Sequence, residues 1–255
     1  MARIFITGSS DGIGLIAARN LIKDGNEVYL HARNEQRANA ARDGAPGSKG
    51  VLVADLSTIA GMKHLASEAN KTGAFDTVIH NAGLGFTLPH KLTEDGIATV
   101  FAVNSLAPYV LTSLMKPPKR LIYTSSGLHA GGDGSLKDVA WTSGRSWNGY
   151  QAYSDSKLHD VMLAFAVARR WENVDSNAVD PGWVKTKMGG AGAPGTTEAG
   201  ADTLSWLAKE ASDAGSGKLY KNRRVSRPHP AAEEQTAQEQ FLDICQKLTG
   251  VPFPD

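Results

Sequence analysis

Tyr153 and Lys157, four apart in the run Tyr153-Ser154-Asp155-Ser156-Lys157, carry the strongest chemical signal in the sequence. On a helix that spacing puts both side chains on one face. A phenol with a pKa near ~10 is a poor base at neutral pH, and a neighbouring ammonium favours its ionised form. Such a pair can give or take a proton in a carbonyl–alcohol interconversion. By itself a Tyr and a Lys one turn apart are common and carry no meaning, so the weight comes from what accompanies them. Ser125 and Ser126 follow the apolar run Leu121-Ile122-Tyr123-Thr124, where a hydroxyl can bond a substrate oxygen. Asn104 sits among apolar neighbours within an expected helix, where Asn has modest propensity. It reads either as an inward amide holding a water or as a solvent-facing side chain.

A second group of residues has the chemistry of phosphate binding. The run Thr7-Gly8-Ser9-Ser10-Asp11-Gly12-Ile13-Gly14 follows an apolar strand-like segment and opens a helix. Gly8 would allow the tight turn, Gly12 would let the backbone approach a diphosphate, and Gly14 would let helix and sheet pack closely. The helix start then offers free N–H groups and a positive dipole end. Glycine-rich turns also occur for purely steric reasons. Here the strand–turn–helix context is the one a dinucleotide site requires.

Further along, Ala32 stands where an acidic residue would accept from an adenosine ribose diol, and Arg33 follows it. A guanidinium pairs well with a 2′-phosphate, which points to NADP over NAD, with Arg37 as a weaker assistant. The other reading of Arg33 is a surface arginine in a loop. Asp55 and Leu56 end the third apolar run, where the carboxylate could accept from an adenine amino group or cap a helix beginning near Ser57. Asn81-Ala82-Gly83 ends the fourth. Asp180-Pro181-Gly182-Trp183-Val184-Lys185-Thr186 follows the sixth, and its Pro and Gly force a turn from which Val184 and Thr186 could meet a ligand amide.

These residues need a scaffold that brings strand ends together. Apolar runs at Arg3–Ile6, Glu27–His31, Gly50–Ala54, Thr77–His80, Arg120–Thr124 and Asp175–Val179 lack polar alternation, as strands buried on both faces do. A seventh is expected at Lys218–Tyr220. Helical patterns lie between them at Ile13–Lys23, Gly61–Lys71, Glu94–Leu114 and Ala152–Trp171, with a last one near Glu234–Leu248. This alternation predicts an α/β fold with a parallel sheet covered by helices. Ligands in such sheets bind at the carboxyl ends of strands, where all the residues above fall. Two glycine-rich segments, 127–149 and 187–200, read as long functional loops, and the basic stretch 222–230 reads as a solvated surface loop.

Composition removes other classes. The chain has 255 residues, enough for a core without disulfides or metals, and shows no repeat or domain-scale linker. One domain over residues 1–255 is expected. A net charge of +1 leaves no electrostatic footprint for nucleic acid or an anionic membrane. No stretch approaches the ~20 apolar residues of a membrane span. The single cysteine, Cys245, can form neither an internal disulfide nor a cysteine-rich zinc site, and reads as core. The seven histidines form no ligand-like pair with acidic partners, so no metal is expected. With no signal-peptide pattern at the start, a cytoplasmic location is expected.

Taken together, the glycine turn, Asn81-Ala82-Gly83, Asn104, Ser126, the Tyr153–Lys157 run and Pro181-Gly182-Trp183-Val184-Lys185-Thr186 resemble the short-chain dehydrogenase/reductase family, in order over residues 3 to 186. The resemblance implies a doubly wound Rossmann-type fold with a seven-stranded parallel sheet. It implies Tyr153 as general acid/base, with Lys157 holding the nicotinamide ribose and favouring the phenolate. Ser126 would orient the substrate carbonyl, Asn104 would hold a water of the proton relay, and Val184 and Thr186 would hold the nicotinamide carboxamide. The cofactor-binding set is then Gly8, Ser10, Asp11, Gly12, Ile13, Gly14, Arg33, Asp55, Leu56, Asn81, Ala82, Gly83, Tyr153, Lys157, Pro181, Gly182, Val184 and Thr186. The 27-residue separation of Ser126 and Tyr153 is longer than usual and resembles the retinol-dehydrogenase-like and bacterial carbonyl reductase branch. Met115-Lys116-Pro117-Pro118 cuts short a helix that commonly packs at the family's dimer interface, so a homo-oligomer and its size stay open.

The expected reaction is hydride transfer between NADP(H) and a small-to-medium apolar aldehyde, ketone or secondary alcohol, with reduction favoured. Trp141, Trp147 and His129 in one loop, and Trp183 beside the other, could wall its pocket, although Trp141 and Trp147 read first as packing and His129 as loop surface. His159 reads as helix surface or core. Two rivals use the same fold. A dinucleotide sensor without turnover would lack the Tyr or the Lys, and an epimerase or dehydratase would have a larger C-terminal region than the one here.

Overall fold

Each apolar run forms a strand because side chains on both of its faces are buried. A computed structural model of the protein describes residues 1–210 and 214–254. The strands are β1 (Arg3–Ile6), β2 (Glu27–Ala32), β3 (Gly50–Val53), β4 (Thr77–His80), β5 (Arg120–Thr124), β6 (Asp175–Val179), β7 (Lys218–Lys221) and β8 (Arg224–Ser226). Their order in the sheet is β3-β2-β1-β4-β5-β6-β7-β8. Neighbours through β7 run parallel, and β8 pairs antiparallel to β7.

The sheet therefore has one strand more than the seven parallel ones expected, and part of the supposed surface loop at 222–230 is that strand. Asn222 and Arg223 both have positive φ, 50° and 59°. Two such residues make the primed turn whose twist matches a two-residue hairpin, and Asn tolerates the left-handed region.

Alternate residues along the strands face opposite layers. Ile4, Ile6, Val28, Leu30, Ile79, Ile122 and Val179 face α1 (Gly12–Lys23), α2 (Glu35–Gly44) and α7 (Thr197–Glu210). Phe5, Val78, Leu121, Tyr123 and Ala178 face α3 (Ile59–Thr72), α5 (Ala107–Leu114), α6 (Gly149–Arg170), the short α8 (Pro230–Glu233) and α9 (Gln235–Thr249). Helices α2 and α7 were not in the sequence reading, and α7 takes up the end of the supposed 187–200 loop. The doubly wound arrangement reverses strand order between β1 and β4, which opens a crevice at their carboxyl ends.

The expected helix at Glu94–Leu114 is broken into parts. Residues 92–98 form a small reversal, with a bridge between Leu92 and Ala98 and Gly96 at φ 75°. Helix α4 (Thr99–Phe101) then passes through a π-helical turn, Ala102–Leu106, into α5. Pro108 carries no N–H to close an α-helical bond onto the Asn104 carbonyl four residues back, and its ring crowds that carbonyl. The wider turn relieves the clash, and such turns recur at functional sites. Helix α5 stops at Leu114, ahead of Pro117 and Pro118, as expected.

Of the four buried histidines among the described residues, His31, His80 and His159 are held by burial as neutral rings. His80 stacks on Tyr123 at 4.9 Å and shares a hydrogen bond with the Thr112 hydroxyl. His159 stacks on Phe241 at 4.7 Å and bonds Ser105, which settles its place as core. His31 lies under the glycine turn. Burial lowers His80 and His159 to about 3 and His31 to about 4. Each gives its full stability above the unfolded value near 6.5 and loses it as pH falls toward the folded value. Asp160, raised by burial to about 6, runs the opposite way over the same window and offsets one of the three. Between pH 6 and 4.5 the free energy of unfolding is thus expected to fall by about 3 kcal/mol per pH unit, two protons at ~1.4 each. Urea titrations across that range check it, and a flat profile would contradict the neutral burial.

Candidate active site

The turn after β1 is shaped by contacts that leave no room for side chains. Gly8 has φ +61°, and a Cβ there would lie 2.6 Å from the Ala82 Cα. A Cβ on Gly14 would lie 2.5 Å from the Asn81 amide nitrogen and 2.6 Å from the Gly8 carbonyl oxygen. Asn81 fastens the end of β4 to this turn, donating through Nδ2 to the carbonyls of Thr7 and Gly8 at 3.2 and 2.9 Å. The Thr7 hydroxyl accepts from the backbone N–H groups of Asn81 and Ala82. These bonds span the point where strand order reverses.

His31 supports the turn from β2. The Gly8 N–H donates to its Nδ1 at 3.0 Å, so Nε2 carries the proton and donates to the Ala54 carbonyl at 3.0 Å. Its low pKa, driven by burial, preserves that tautomer at neutral pH. The sequence reading gave His31 no role. The signal for it was a polar residue near the end of an apolar strand, one position before Ala32.

The rim of the crevice carries the other expected binding residues. Arg37 donates to the Ser10 hydroxyl at 3.2 Å and to the Asp11 carboxylate at 2.6 Å. Lys187 pairs with the same Asp11 oxygen at 3.3 Å. Burial works to raise the Asp11 carboxyl, but the two cations hold it below the usual range. Arg33 is exposed. Asp55 is exposed and accepts the Ser57 N–H at 2.9 Å, while Thr58 is the residue that caps α3. Leu56 is buried in the core, so only its backbone can meet a ligand. Across the crevice Gly12 faces Thr186, whose methyl group would lie 3.6 Å from a Cβ placed there. Pro181 and Gly182 make the expected turn, with the Asp180 carboxylate accepting the Gly182 N–H. Val184 is buried and bridges to Gly195.

At the start of α6 the structure brings Tyr153, Lys157, Asn104 and Gly83 together. Lys157 is buried, and its Nζ lies 5.8 Å from the centre of the Tyr153 ring. It donates to the Thr124 carbonyl at 2.7 Å and to Asp160 Oδ2 at 2.8 Å. Burial works to lower the ammonium, but the Asp160 and Tyr153 charges raise it. Asn104 is fully buried, so it faces inward. Its amide nitrogen donates to the Leu84 carbonyl and the Ser156 hydroxyl, and its oxygen accepts the Leu84 N–H at 2.7 Å. The space above Gly83 lies 3.6 Å from the Asn104 oxygen and 3.7 Å from Lys157 Nζ.

The two serines after β5 separate. Ser125 donates to the Lys157 backbone carbonyl at 2.8 Å, fastening the helix to the strand. Ser126 accepts the Leu128 N–H at 3.2 Å, capping a 3₁₀ turn, Gly127–Gly131, and keeps its own O–H for another acceptor. His129 is buried rather than on the loop surface, because its Nδ1–H donates to the Ser126 carbonyl at 2.7 Å.

The long 127–149 segment is tied to α6. Asp155 accepts from the Asp133 N–H and the Gln151 amide, and pairs with Arg145 at 3.2 Å. Arg145 also lies 3.9 Å over the Trp141 ring. Trp141 is buried against the half-buried Trp147, so both pack within the segment. Trp183 is 62% exposed and donates to the Gly189 carbonyl. Phe86, which the sequence did not single out, sets its ring against Tyr150 and Tyr153 at 5.7 and 6.0 Å. Met188 reaches across to Gly85, 2.7 Å from where a Cβ would stand. The mouth beside Tyr153 is therefore aromatic and apolar.

The model of the short chain dehydrogenase family matches residues 2–195. The chain belongs to that family. Over its full length it is 48% identical to an oxidoreductase of Emericella nidulans, AN7799, covering 99% of that protein. It is 28% identical to human retinol dehydrogenase 13, over 98% of this chain and 85% of that one. Among solved structures, a Mycobacterium paratuberculosis protein superposes with a TM-score of 0.87 at 24% identity, covering all of this chain and 96% of that one. A blue fluorescent protein from a metagenomic library, solved in complex with NADPH, superposes with a TM-score of 0.70 at 21% identity, covering 86% and 95%.

The crowding at Gly14 makes a direct test of this short-chain dehydrogenase. Gly14→Ala is expected to fold at a cost of ~1–3 kcal/mol in stability. It is expected to bind a nicotinamide dinucleotide about tenfold more weakly, since the added Cβ would push Asn81 and the Gly8 carbonyl from the positions that shape the turn. Fluorescence titration with NADPH checks it, with far-UV circular dichroism as the control for folding.

Proposed function

We propose that the protein is an NADP(H)-dependent carbonyl reductase acting on apolar, ring-bearing aldehydes or ketones. The observation that carries this reading is the buried Lys157 ammonium beside Tyr153, at the carboxyl edge of the sheet and next to a turn with no room for side chains. The residues around that turn fit a dinucleotide. Gly8, Gly12, Ile13 and Gly14 offer backbone to a diphosphate at a helix start, and Asn81, Ala82 and Gly83 line the opposite wall. When bound, NADPH supplies the hydride, and the protein supplies position and the proton.

Tyr153 donates its phenolic proton to the substrate oxygen. Lys157 has three N–H groups, of which Thr124 and Asp160 take two. The third would be left for a ribose hydroxyl of the bound cofactor, while the ammonium charge favours ionisation of the Tyr153 phenol. Ser126 donates to the substrate carbonyl and orients it. Asn104 has one lone pair of its side-chain oxygen left for a water above Gly83. Val184 and Thr186 hold the carboxamide, and Pro181 and Gly182 set the turn that presents them. Asp55 and the Leu56 backbone meet the adenine.

Selectivity for NADP rests on Arg33, exposed beside the buried Ala32, with Arg37, which bonds the Ser10 hydroxyl, as a weaker assistant. A guanidinium here meets a 2′-phosphate, and no carboxylate is present at Ala32 to hold a diol. A neighbouring fold is solved with NADPH bound, which supports this reading, and the relatives' names are those of oxidoreductases. Phe86, Tyr150, Trp183 and Met188 favour an apolar substrate with a flat ring. The enzyme is read as cytoplasmic and as working on small molecules.

Absorbance at 340 nm follows NADPH oxidation across a panel of aromatic and aliphatic aldehydes and ketones. Tyr153→Phe is expected to lower kcat by about 10²–10⁴-fold, the usual worth of a positioned acid. Arg33→Ala is expected to raise KM for NADPH about tenfold, the loss of a charged hydrogen bond, and to leave NADH kinetics alone. Faster turnover of wild type with NADH would overturn the cofactor assignment, and full activity in Tyr153→Phe would overturn the mechanism.

A further inference from the structure

Among the described residues, Asp160 is the one buried carboxylate that touches the proton-transfer residues. It lies one turn beyond Lys157 on α6, and its Oδ2 stands 2.8 Å from Lys157 Nζ. Both side chains are almost completely buried, at 3% and 6% exposed. A lone ammonium at such a site would pay a large desolvation cost, and one with a carboxylate partner stays charged. The same contact fixes direction. With Thr124 below and Asp160 behind, only one N–H of Lys157 can point toward Tyr153 and the space above Gly83.

The surroundings leave the pair electrostatically isolated. From α6 itself Lys157 faces Tyr153 and Asp160. From β5 Asp160 faces Tyr123, whose hydroxyl shares a bond with Thr112 and whose ionisation burial suppresses. Behind Tyr123 on β4 is the neutral ring of His80. From the π turn the Lys157 side is met by Asn104, an uncharged amide. Asp160 is therefore the anion closest to the Tyr153–Lys157 pair.

We infer that Asp160 is a positioning residue for the acid/base step: it holds Lys157 charged and aimed, and its negative charge sets the pH at which the Tyr153–Lys157 pair gives up a proton. This rests on the reading of Tyr153 and Lys157 as the proton-transfer pair. The direction of the effect does not depend on which of the two loses its proton first. Removing a nearby negative charge makes loss of a proton easier from either.

The test compares wild type with Asp160→Asn in the direction of carbonyl reduction, where the pair must be fully protonated. The alkaline limb of kcat/KM is expected to move about one pH unit lower, the size of a single near charge. Asp160→Glu, which keeps the charge, is expected to restore most of the wild-type limb. A readout free of turnover is tyrosinate absorbance near 295 nm in the protein without cofactor, with the same titration of Tyr153→Phe in each background subtracted. That difference is expected to shift downward by the same amount. If Asp160→Asn does not fold, Asp160→Ser takes its place with the same expected shift. A folded variant whose limb and tyrosinate titration stay within 0.3 pH unit of wild type would reduce Asp160 to a structural role and overturn the inference. Absent turnover in wild type would instead count against the functional reading, and the tyrosinate titration would still decide the role of Asp160.

Discussion

One buried positive charge organises the substrate end of this protein. The Lys157 ammonium is out of water, so every group around it must either compensate it or accept from it. The Thr124 carbonyl does so from the end of β5, and the Asp160 carboxylate does so from the same helix. Ser125 then bonds the Lys157 backbone, so strand and helix are locked at the residue that needs the most definite position. Asn104 reaches the same place from the π turn and links Leu84 to Ser156. A helix, a strand, a loop and a distorted turn thus converge on one charged group.

The nucleotide end is organised differently, by exclusion. Gly8 and Gly14 are held so close to Ala82 and Asn81 that no side chain fits, and backbone N–H groups are what remain at the surface. A neutral His31 maintains this, with one ring nitrogen accepting and the other donating. Protonation would turn the accepting nitrogen into a donor facing the Gly8 N–H, and burial prevents that at neutral pH. The two ends meet through loops. Lys187 pairs with Asp11, and Met188 lies against Gly85, so the segment after β6 touches both sides of the crevice.

Most of the sheet was legible in the sequence because parallel strands buried on both faces leave an unbroken apolar run. The expected runs became β1 to β7 with ends shifted by a residue at most. The eighth strand was hidden, since Arg224–Ser226 is polar and short and exists only because Asn222 and Arg223 turn the chain back. Helix α2 escaped notice because its sequence is mostly polar, with only Ala38 and Ala41 buried. His129 was misread as surface because the hydrogen bond that buries it, to the Ser126 carbonyl three residues earlier, needs the 3₁₀ turn to form.

The sequence by itself determined the elements and the spacing of the reactive residues. Periodicity placed Tyr153 and Lys157 on one helix, and glycine positions marked the turn where a backbone must approach something closely. Tertiary structure decided what each polar group is bonded to. Ser125 and Ser126 are adjacent and chemically identical, yet one donates to a helix backbone and the other accepts from the Leu128 N–H and keeps its O–H for another acceptor. Asp155 and Asp160 share a helix, yet one fastens a loop through Arg145 and the other sits under the Lys157 ammonium. Periodicity along one chain fixes which face a residue takes, but a hydrogen bond or ion pair needs a second partner. That partner arrives from residues tens of positions away only when the sheet closes and buries them together.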